Sequence, residues 1–582
     1  MLINAELLLQ FQRCKRRSYL DIHGDFSQTD AVNDLLLKLQ QDKIVHQKSV
    51  LEQWNSRRPD YKLGDWQRGQ TATLELMQQG VECIYRGVLL AKYSEIQLQL
   101  TETVEEEMGE DAVTRGVRDA ENCPVSSSYP QFDKYTLLSR PDLMVKLPGK
   151  SCFGDWMYVP VNIELGKRPK QEYQVVAAFH AQVLAIAQQA EPQIASLVLR
   201  GKEGHYSVDL MRWKPQMHNI LQELMQTLEE VTAPDLFMSR QRCNLCHWYS
   251  SCYAIAQSQK HLSLVPGITP VRYTQLQALG ITTVESLAQA NPTALENLPG
   301  FDSEVACKLV LQAQSVLQNR PLILPYLPVS LYHSTTSVVR DDLESHSQEQ
   351  QKLLPTPLTQ NNKFTTPIEL YFDIEAQPDL NLDYLLGILV VDRQANTENF
   401  YSLLAEKPED EELIWQQFLD LMWQYPDAPI YHFCVYESDA VKRLAKLYRT
   451  SHASVQPILN RFVDIYEKLT QSVALPVESY ALKAIARWLG FEWRDPEASG
   501  AKCIYWYDQW LKTGDRNLLE IIQRYNEDDC RATRNVKDWL TKFFQEELKT
   551  QELEYPSQNT QNSRSATKNQ ALNPHTLSPF HP

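Results

Sequence analysis

The pattern of apolar and polar positions changes along the chain and predicts structured regions separated by polar stretches. The clearest strand pattern lies in the last third, where three apolar runs follow one another: Ile368–Ala376, Leu385–Val391 and Asn399–Leu404. Short runs of this kind, bounded by turn residues, are typical of neighbouring strands. A helix, another strand and further helices follow, so residues 367–548 are predicted to form one mixed-sheet domain.

The first 258 residues combine two periodicities. Helical patterns near 30–55 and 65–80 precede strand-like segments, and a long helix near 171–188 comes before a strand near 194–200. Strand and helix patterns within one region indicate a domain in which helices pack on a sheet. Residues 1–258 are therefore predicted to form an α/β domain.

Three further segments differ from these domains in composition. Residues 261–319 contain two apolar-Pro-Gly turns, each followed by a short helical pattern, which predicts a small all-helical module. Residues 320–366 are polar and interrupted by proline, which indicates a linker. Residues 549–582 are rich in Gln, Asn, Ser and Pro, which indicates a disordered tail. The fold class is thus α/β multidomain.

Composition and charge narrow the class of protein. Apolar residues make up 43% and charged residues 22% of the 582 residues, as in ordinary globular proteins. The chain lacks a long apolar run, and its first basic cluster follows the apolar stretch instead of preceding it, so we expect a cytoplasmic protein without membrane segments. The net charge of −16 argues against a sequence-independent nucleic-acid coat. It is compatible with a nuclease, whose acidic site binds cations.

A pair of acids ends the first strand of the C-terminal domain. Asp373 and Glu375 are two residues apart, so they project from the same face of a strand. Neighbouring carboxylates repel each other and lose solvation, and a fold tolerates them when a cation lies between them. The pair therefore predicts a metal site.

Two later elements carry polar residues that complete this pattern. A strand near Ile430 leads into a helix with Glu437, and Tyr525 and Asp529 lie one turn apart on another helix. The set resembles the DEDD exonucleases of the RNase H-like superfamily, in the branch with a Tyr-x3-Asp third motif, and YprB-like domains are the most similar. The resemblance covers about residues 367–540 and depends on Asp373-Ile374-Glu375, His432-x3-Tyr436-Glu437, Ser479-Tyr480-Ala481-Leu482-Lys483 and Tyr525-x3-Asp529.

The resemblance implies a two-metal mechanism of 3′→5′ cleavage. Two Mg²⁺ or Mn²⁺ ions about 4 Å apart would activate the attacking water and stabilise the leaving oxygen. Their ligands would be Asp373, Glu375, Glu437 and Asp529, and Tyr525 would orient the water. Glu437 departs from the family pattern, which has Asp there, and Asp439 is a less suitable substitute because the helix turns it away. Asp464 is either a fifth carboxylate of the site or a helix cap.

Four cysteines of the N-terminal region suggest a second kind of metal site. The chain has 11 cysteines, and an odd number in an unsecreted protein argues against a disulfide framework. Cys243, Cys246 and Cys252 are clustered, and Cys14 is the best candidate for a fourth ligand. The pattern is similar to that of RecB-family nucleases with an iron–sulfur staple. The resemblance implies a [4Fe–4S] cluster, with Zn²⁺ as the alternative.

Nucleases of that family carry a PD-(D/E)xK site in a restriction-endonuclease-like fold, and parts of such a site are visible. Asp142 starts one strand and Glu164 lies on the next, so the two could share a metal. The expected lysine position is Gly166, and Lys167 returns to the active face if Gly166 forms a bulge. Alternatively, Asn162 and Glu164 occupy the Asp and Lys places of a degenerate motif. His46 corresponds to the early His of the family.

The middle module and the whole chain complete the resemblance. The turns at Gly267 and Gly300 resemble helix-hairpin-helix modules, but Thr269 and Asp302 replace the usual second glycine, so a plain helical spacer is an equal alternative. The whole chain resembles bacterial RecB-like nucleases that join these three parts. The resemblance implies a two-nuclease enzyme that acts on DNA ends, in repair or recombination, with a helicase or other repair proteins as partners.

Two other functions are compatible with the sequence. In the first, the chain is an RNA-processing exonuclease whose N-terminal half only binds substrate. In the second, it is a non-catalytic iron–sulfur scaffold for nucleic acid. Contacts to the 2′-hydroxyl leave no short motif, so the sequence favours DNA over RNA only through the resemblance.

Overall fold

The computed structural model of the protein describes residues 1–96, 134–202, 204–325 and 366–554. Contacts divide the chain into two compact units, Met1–Gln259 and Lys260–Pro582. No helix within the described ranges combines the length and the apolar character needed to cross a membrane. Most of the predicted linker, and residues 555–582 of the predicted tail, lie outside the described residues.

The N-terminal unit contains two sheets, of order β1-β4-β3 and β2-β5-β6-β7-β8. Its strands are β1 (Leu2–Asn4), β2 (Cys83–Tyr85), β3 (Leu89–Lys92), β4 (Thr136–Ser139), β5 (Leu143–Ser151), β6 (Gly154–Glu164), β7 (Ala195–Leu199) and β8 (Tyr206–Val208). Strands β5 and β6 form an antiparallel hairpin, whereas β6 and β7 run parallel. The carboxyl end of β6 therefore lies in the interior of the larger sheet.

Helices surround these sheets. They are α1 (Ala5–Arg13), α2 (Lys15–His23), α3 (Asp34–Leu51), α4 (Trp66–Gln78), α5 (Gln171–Gln188), α6 (Leu210–Glu229), α7 (Arg240–Cys243) and α8 (Tyr249–Ser258). Helix α5 coincides with the predicted long helix and is buried along nearly its whole length. The burial follows from its place in the chain, because α5 connects the parallel strands β6 and β7 and must cross the sheet.

The C-terminal unit begins with a small helical part. Its elements are α9 (Pro270–Ala278), α10 (Val284–Ala288), α11 (Pro292–Leu295), α12 (Ser303–Gln318) and the short strand β9 (Leu322–Ile323). Helices α9 and α12 begin with side-chain caps from Thr269 and Asp302. These two residues are the ones that replace the second glycine of the helix-hairpin-helix pattern.

A five-stranded mixed sheet forms the centre of the remaining part. The strands are β10 (Ile368–Gln377), β11 (Leu382–Asp392), β12 (Thr397–Leu404), β13 (Ile430–His432) and β14 (Phe462–Asp464), with a separate short strand β15 (Val473–Ala474). The order is β12-β11-β10-β13-β14, in which β10 is central, antiparallel to β11 and parallel to β13. The first three strands are those predicted from the apolar runs.

Helices cover this sheet and close its core. They are α13 (Glu411–Gln424), α14 (Tyr436–Leu447), α15 (His452–Leu459), α16 (Ile465–Ser472), α17 (Leu482–Trp488), α18 (Gly500–Thr513) and α19 (Arg516–Glu554). Phe372 of β10 packs against Phe418 of α13, with ring centroids 4.9 Å apart. Helix α19 also contacts β10 and β11, so it brings its polar residues to the central strand.

The helical part packs against the mixed-sheet part of the same unit. Strand β9 pairs antiparallel with β15, so the predicted linker begins with a strand. The buried side chain of Gln312 donates to the carbonyl of Leu475 and accepts from the hydroxyl of Tyr480. The Ser315 hydroxyl donates to the carbonyl of Ala474. These bonds hold α12 against the segment after α16.

We expect Gln312→Ala to lower the free energy of unfolding of the C-terminal unit by roughly 1–3 kcal/mol, because the buried Leu475 carbonyl loses its donor. Gln318→Ala changes an exposed residue of the same helix and should stay within about 0.5 kcal/mol of the parent protein. Chemical denaturation of both variants measures the difference. Equal stabilities would contradict the role assigned to this contact.

Candidate active site

Three carboxylates meet on the central strand of the C-terminal sheet. Asp373 and Glu375 lie on β10, and Asp529 comes from α19. One oxygen of each lies within 4.8 Å of an oxygen of the other two. The structure therefore brings together the strand pair and the helical acid that the sequence predicts as metal ligands.

A close approach between α19 and β11 makes this meeting possible. Asn526 is fully buried, and its amide donates to Asp373 Oδ2 at 2.7 Å. Gly387 is paired with Asp373 across the sheet, and a Cβ atom there would lie 1.7 Å from Asn526 Oδ1. Glycine is therefore required at this position. Sequence reasoning missed Asn526. The available signals were a polar residue directly after Tyr525 and a glycine, Gly387, within the apolar strand β11.

Asp529 is held by donors on two sides. The indole of Trp493 donates to Asp529 Oδ1 at 2.7 Å, and the hydroxyl of Tyr525 also bonds to this carboxylate. The ammonium of Lys483 lies 5.3 Å from the ring centre of Trp493 and 5.6 Å from that of Tyr525. The predicted Tyr525 is thus in the site, and Trp493 is a further member that sequence reasoning missed.

Glu437 lies beside the three carboxylates, at the start of α14. It does not join their group of mutually close oxygens, but its charge raises the pKa of Asp373. Its buried Oε2 atom lies 3.4 Å from His432 Nδ1; burial raises the pKa of Glu437, and the hydrogen bond from His432 opposes this effect. A buried carboxylate beside other carboxylates is a suitable ligand for a cation. The structure is compatible with Glu437 as the substitute for the usual Asp.

The other nearby acids have structural roles. Asp464 caps α16 by accepting from Glu467 N, and it also accepts from Cys434 N. Of the two alternatives for Asp464, the helix cap is therefore the one observed. Asp439 is exposed and pairs with Lys442 at 3.0 Å, so it points away from the site as predicted from the helix geometry.

The electrostatics of the cluster favour a bound cation. Burial, followed by repulsion from neighbouring carboxylates, raises the pKa of Asp373 and of Glu375 well above the usual range. Burial also raises the pKa of Asp529 to about 7. Carboxylates in such a place either retain protons or share a cation. The mutual distances of the three carboxylates and the buried carboxylate of Glu437 fit divalent metal ions bound by oxygen.

A second set of polar residues lines a cavity of about 500 Å³ in the N-terminal unit. Asp142 is held there by two donors, Gln47 Nε2 and Ile163 N, each at 2.7 Å. Glu164 lies at the end of β6, and burial raises its pKa to about 7. The structure therefore brings Asp142 and Glu164 to one cavity, as the sequence predicts.

Two other residues predicted for this cavity lie elsewhere. Strand β6 ends at Glu164, and Lys167 is exposed beyond it and does not line the cavity. The predicted bulge at Gly166 is wrong, because Gly166 has already left the strand. His46 lies near the backbone of Val198 and does not line the cavity either.

Helix α3 supplies two residues that line the cavity where Lys167 and His46 were expected. Lys43 and Gln47 are one turn apart and both line the cavity. The ammonium of Lys43 lies 3.7 Å from Glu164 Oε2. Burial lowers the pKa of Lys43, but the charges of Glu164 and Asp142 outweigh this effect and raise it. Sequence reasoning missed Lys43, for which the spacing of Lys43 and Gln47 was the available signal.

The four cysteines of the predicted cluster are neighbours in the N-terminal unit. Cys14 caps α2, with Sγ accepting from Arg17 N at 3.4 Å. Burial raises the pKa of Cys243 to about 11, and the charges of Cys14, Cys246 and Cys252 raise it further. Burial also raises the pKa of Cys246, and the charge of the nearby Arg17 opposes this effect in part. The structure thus places four thiols near one another beside basic side chains, but within the described residues only the three carboxylates bring their ligand atoms within 4.8 Å of one another.

We expect the free energy of unfolding of the metal-free protein to decrease as the pH rises from about 4 to about 7, because the C-terminal cluster keeps protons that the unfolded chain releases. The unfolded chain releases the proton of Asp529 near its ordinary pKa of 3.8, whereas the folded protein keeps it up to about 7. Asp373→Asn removes one charge from the cluster. It should therefore raise the melting temperature of the metal-free protein by about 2–4 °C at pH 8 and reduce its pH dependence.

Calorimetry with and without Mn²⁺ measures this effect. Mn²⁺ should stabilise the parent protein more than the Asp373→Asn variant, because the ion replaces the protons between the carboxylates. A variant that melts below the parent protein at pH 8 without metal would contradict the repulsion in the cluster.

Comparison with known proteins agrees with the geometry of the C-terminal site. Residues 370–541 match a family model of the RNase_H superfamily (RNase_H_2). No curated protein matches the chain. The matched segment contains β10 from its third residue onward, the strands β11 to β14 and all three carboxylates of the cluster. The mixed-sheet part of the C-terminal unit is therefore an RNase H-like domain, of a superfamily whose nucleases use divalent metal ions.

Proposed function

We propose that the C-terminal domain is a DEDDy-type 3′→5′ exonuclease that acts on DNA ends. The observation that carries this proposal is the meeting of Asp373, Glu375 and Asp529 within 4.8 Å, with the hydroxyl of Tyr525 beside them. Glu437 provides a fourth, buried carboxylate beside them. A strand pair, a helix start and a Tyr-x3-Asp helix supply these groups in the chain order of the YprB-like domains.

The residues of the site have separate tasks in this proposal. The four carboxylates would hold two Mg²⁺ or Mn²⁺ ions, which supply Lewis acidity at the phosphate and at the leaving oxygen when bound. Tyr525 orients the attacking water. Burial raises its pKa, so the hydroxyl stays protonated and donates or accepts a hydrogen bond without acting as a base. Asn526 and Trp493 fix the directions of Asp373 and Asp529.

The reaction is the hydrolysis of the last phosphodiester bond. The oxygen of water bonds to phosphorus, and the bond from phosphorus to the 3′ oxygen of the preceding nucleotide breaks. The water releases a proton to solvent, and the leaving oxygen takes one up. The products are a nucleoside 5′-monophosphate and a chain with a new 3′-hydroxyl end.

The N-terminal unit contributes a second nucleic-acid site in this proposal. Its cavity, with Asp142 and Glu164, is proposed to be a RecB-like, PD-(D/E)xK-type nuclease site. Cys14, Cys243, Cys246 and Cys252 are proposed to bind a [4Fe–4S] cluster that staples the ends of this unit. The helical part before the exonuclease is proposed to contact the DNA backbone, in the manner of helix-hairpin-helix modules. Cytoplasmic DNA repair with a helicase as partner is the proposed setting.

We expect Asp373→Ala to abolish 3′→5′ degradation, because it removes one of the three mutually close carboxylates that would hold the metal ions. Tyr525→Phe should slow degradation roughly a hundredfold while metal still binds. Glu437→Gln should also slow it strongly, whereas Asp439→Asn is the matched control, an exposed acid on the same helix, and should keep the parent rate. The assay uses 5′-labelled single-stranded DNA, duplex DNA and RNA with Mn²⁺.

The outcomes of this assay separate the alternative functions. A preference for RNA would favour an RNA-processing exonuclease over a DNA-end enzyme. Absence of activity on every substrate would favour a scaffold. Parent activity in the Asp373→Ala variant would mean that the metal site has been assigned to the wrong residues.

We expect protein purified without oxygen to be brown and to contain iron and sulfide in comparable amounts. Cys14→Ala should lose this colour as completely as Cys246→Ala, because residues far apart in sequence bind one cluster. Cys152→Ala is the control, since Cys152 is an exposed cysteine of the same unit outside the cluster. Colourless protein with stoichiometric zinc would replace the iron–sulfur assignment by a four-thiolate zinc site.

A further inference from the structure

The N-terminal cavity contains buried acids, but the lysine expected on its strand is absent. Strand β6 directs Asn162 and Glu164 into the cavity, and Lys167 lies outside it. The PD-(D/E)xK pattern includes a lysine because negative charge develops on the phosphate oxygens in the transition state. If this cavity works in that way, another element must supply the positive side chain.

We propose that Lys43 of α3 is the catalytic cation of the N-terminal cavity. This inference rests on the proposed nuclease character of the N-terminal unit and adds the residue that would complete its site. Lys43 approaches Glu164 to 3.7 Å, so its ammonium lies beside the acid of the strand, two residues before the position where a lysine is expected. In this cavity the positive charge comes from helix α3 and not from the strand.

The position of Lys43 is fixed by contacts of the same helix. One turn further on, Gln47 donates to Asp142 Oδ1 at 2.7 Å and accepts from Arg86 at 3.2 Å. These bonds fix α3 relative to Asp142, and the Lys43 pair connects the same helix to Glu164. Asp42, the acid next in sequence, is occupied by Lys38 at 3.0 Å and therefore does not neutralise Lys43.

The exposure of Lys43 suits contact with a substrate. Its side chain is 41% exposed, whereas that of Glu164 is 10% exposed. The acid is thus covered while the ammonium faces the cavity and solvent. Arg86 and Arg140 line the same cavity, so a phosphate entering it meets three positive side chains.

Asn162 is an independent sign that the cavity binds a ligand. It is 5% exposed and lines the cavity, and its Oδ1 atom has no hydrogen-bond partner. Buried amide oxygens are nearly always paired, so this atom is available to a cation or to water. Together with Asp142 and Glu164 it forms a set of oxygen donors next to Lys43.

In the proposed step Lys43 contacts a nonbridging phosphate oxygen. The oxygen of a water molecule bonds to phosphorus, and the bond from phosphorus to the leaving oxygen breaks. The water loses a proton to solvent, and the leaving oxygen gains one from solvent. Lys43 keeps its proton throughout and stabilises the charge on the phosphate.

The test uses full-length protein with Asp373→Asn, which silences the C-terminal site. Single-stranded DNA and Mn²⁺ are the substrate and the metal. Lys43→Met should lower the remaining cleavage about 100-fold or more, while Lys43→Arg should recover part of it. Lys167→Met is the matched control, an exposed lysine in the place that the sequence suggests, and should cleave at the rate of the background protein.

A second measurement separates catalysis from structure. Calorimetric titration with Mn²⁺ should show binding retained in Lys43→Met and weakened in Glu164→Gln, because the lysine repels the ion and the acid binds it. Loss of Mn²⁺ binding or of folding in both Lys43→Met and Lys43→Arg would overturn the proposal in favour of a structural ion pair. It would also be overturned if the background protein did not cleave DNA, or if Lys43→Met cleaved normally.

A separate assay tests the exonuclease proposal. Degradation from the 3′ end is measured in a Glu164→Gln protein whose C-terminal site is intact. Failure there would reject the exonuclease proposal and leave the Lys43 result unaffected.

Discussion

The repulsion among three crowded carboxylates is the constraint on which the C-terminal domain depends. Asp373, Glu375 and Asp529 would separate if the surrounding structure allowed it, because each loses hydration and gains a like-charged neighbour. The core under β10 and the long helix α19 prevent this. Gly387 lets the helix approach, and Asn526 uses that space to donate to Asp373. The fold thus maintains an unfavourable arrangement that a divalent cation would relieve.

In the N-terminal cavity, the cost of burying carboxylates is offset in another way. Its acids are also buried, but Asp142 receives two hydrogen bonds and Glu164 has Lys43 beside it. Hydrogen bonds support acids in both sites, because Asn526 donates to Asp373 and Trp493 donates to Asp529, so the difference is the direct ion pair of Glu164 with Lys43. In the C-terminal site Lys483 lies over the rings of Trp493 and Tyr525, so its charge is not paired directly with a carboxylate. The two sites consequently differ in how strongly their acids require a cation.

The sequence predicted those features that depend on local pattern. The runs that form β10, β11 and β12, and the same-face placement of Asp373 and Glu375, follow from alternation within one strand. Asn526 and Lys43 were missed because their partners lie 153 and 121 residues away, and no local pattern encodes such contacts. The expectation for Lys167 failed for a related reason. It extended the alternation beyond Glu164, where the strand has already ended.

The packing of the helical part has a consequence for the C-terminal site. Gln312 accepts a hydrogen bond from Tyr480, whose hydroxyl also accepts from Leu475 N. Three residues later the same segment supplies Lys483, which lies over Tyr525. The helical part, α12 in particular, therefore orders the segment that places a positive charge next to the proposed water-orienting tyrosine. A separate, flexibly linked module could not do this, because its contacts with the segment would not persist.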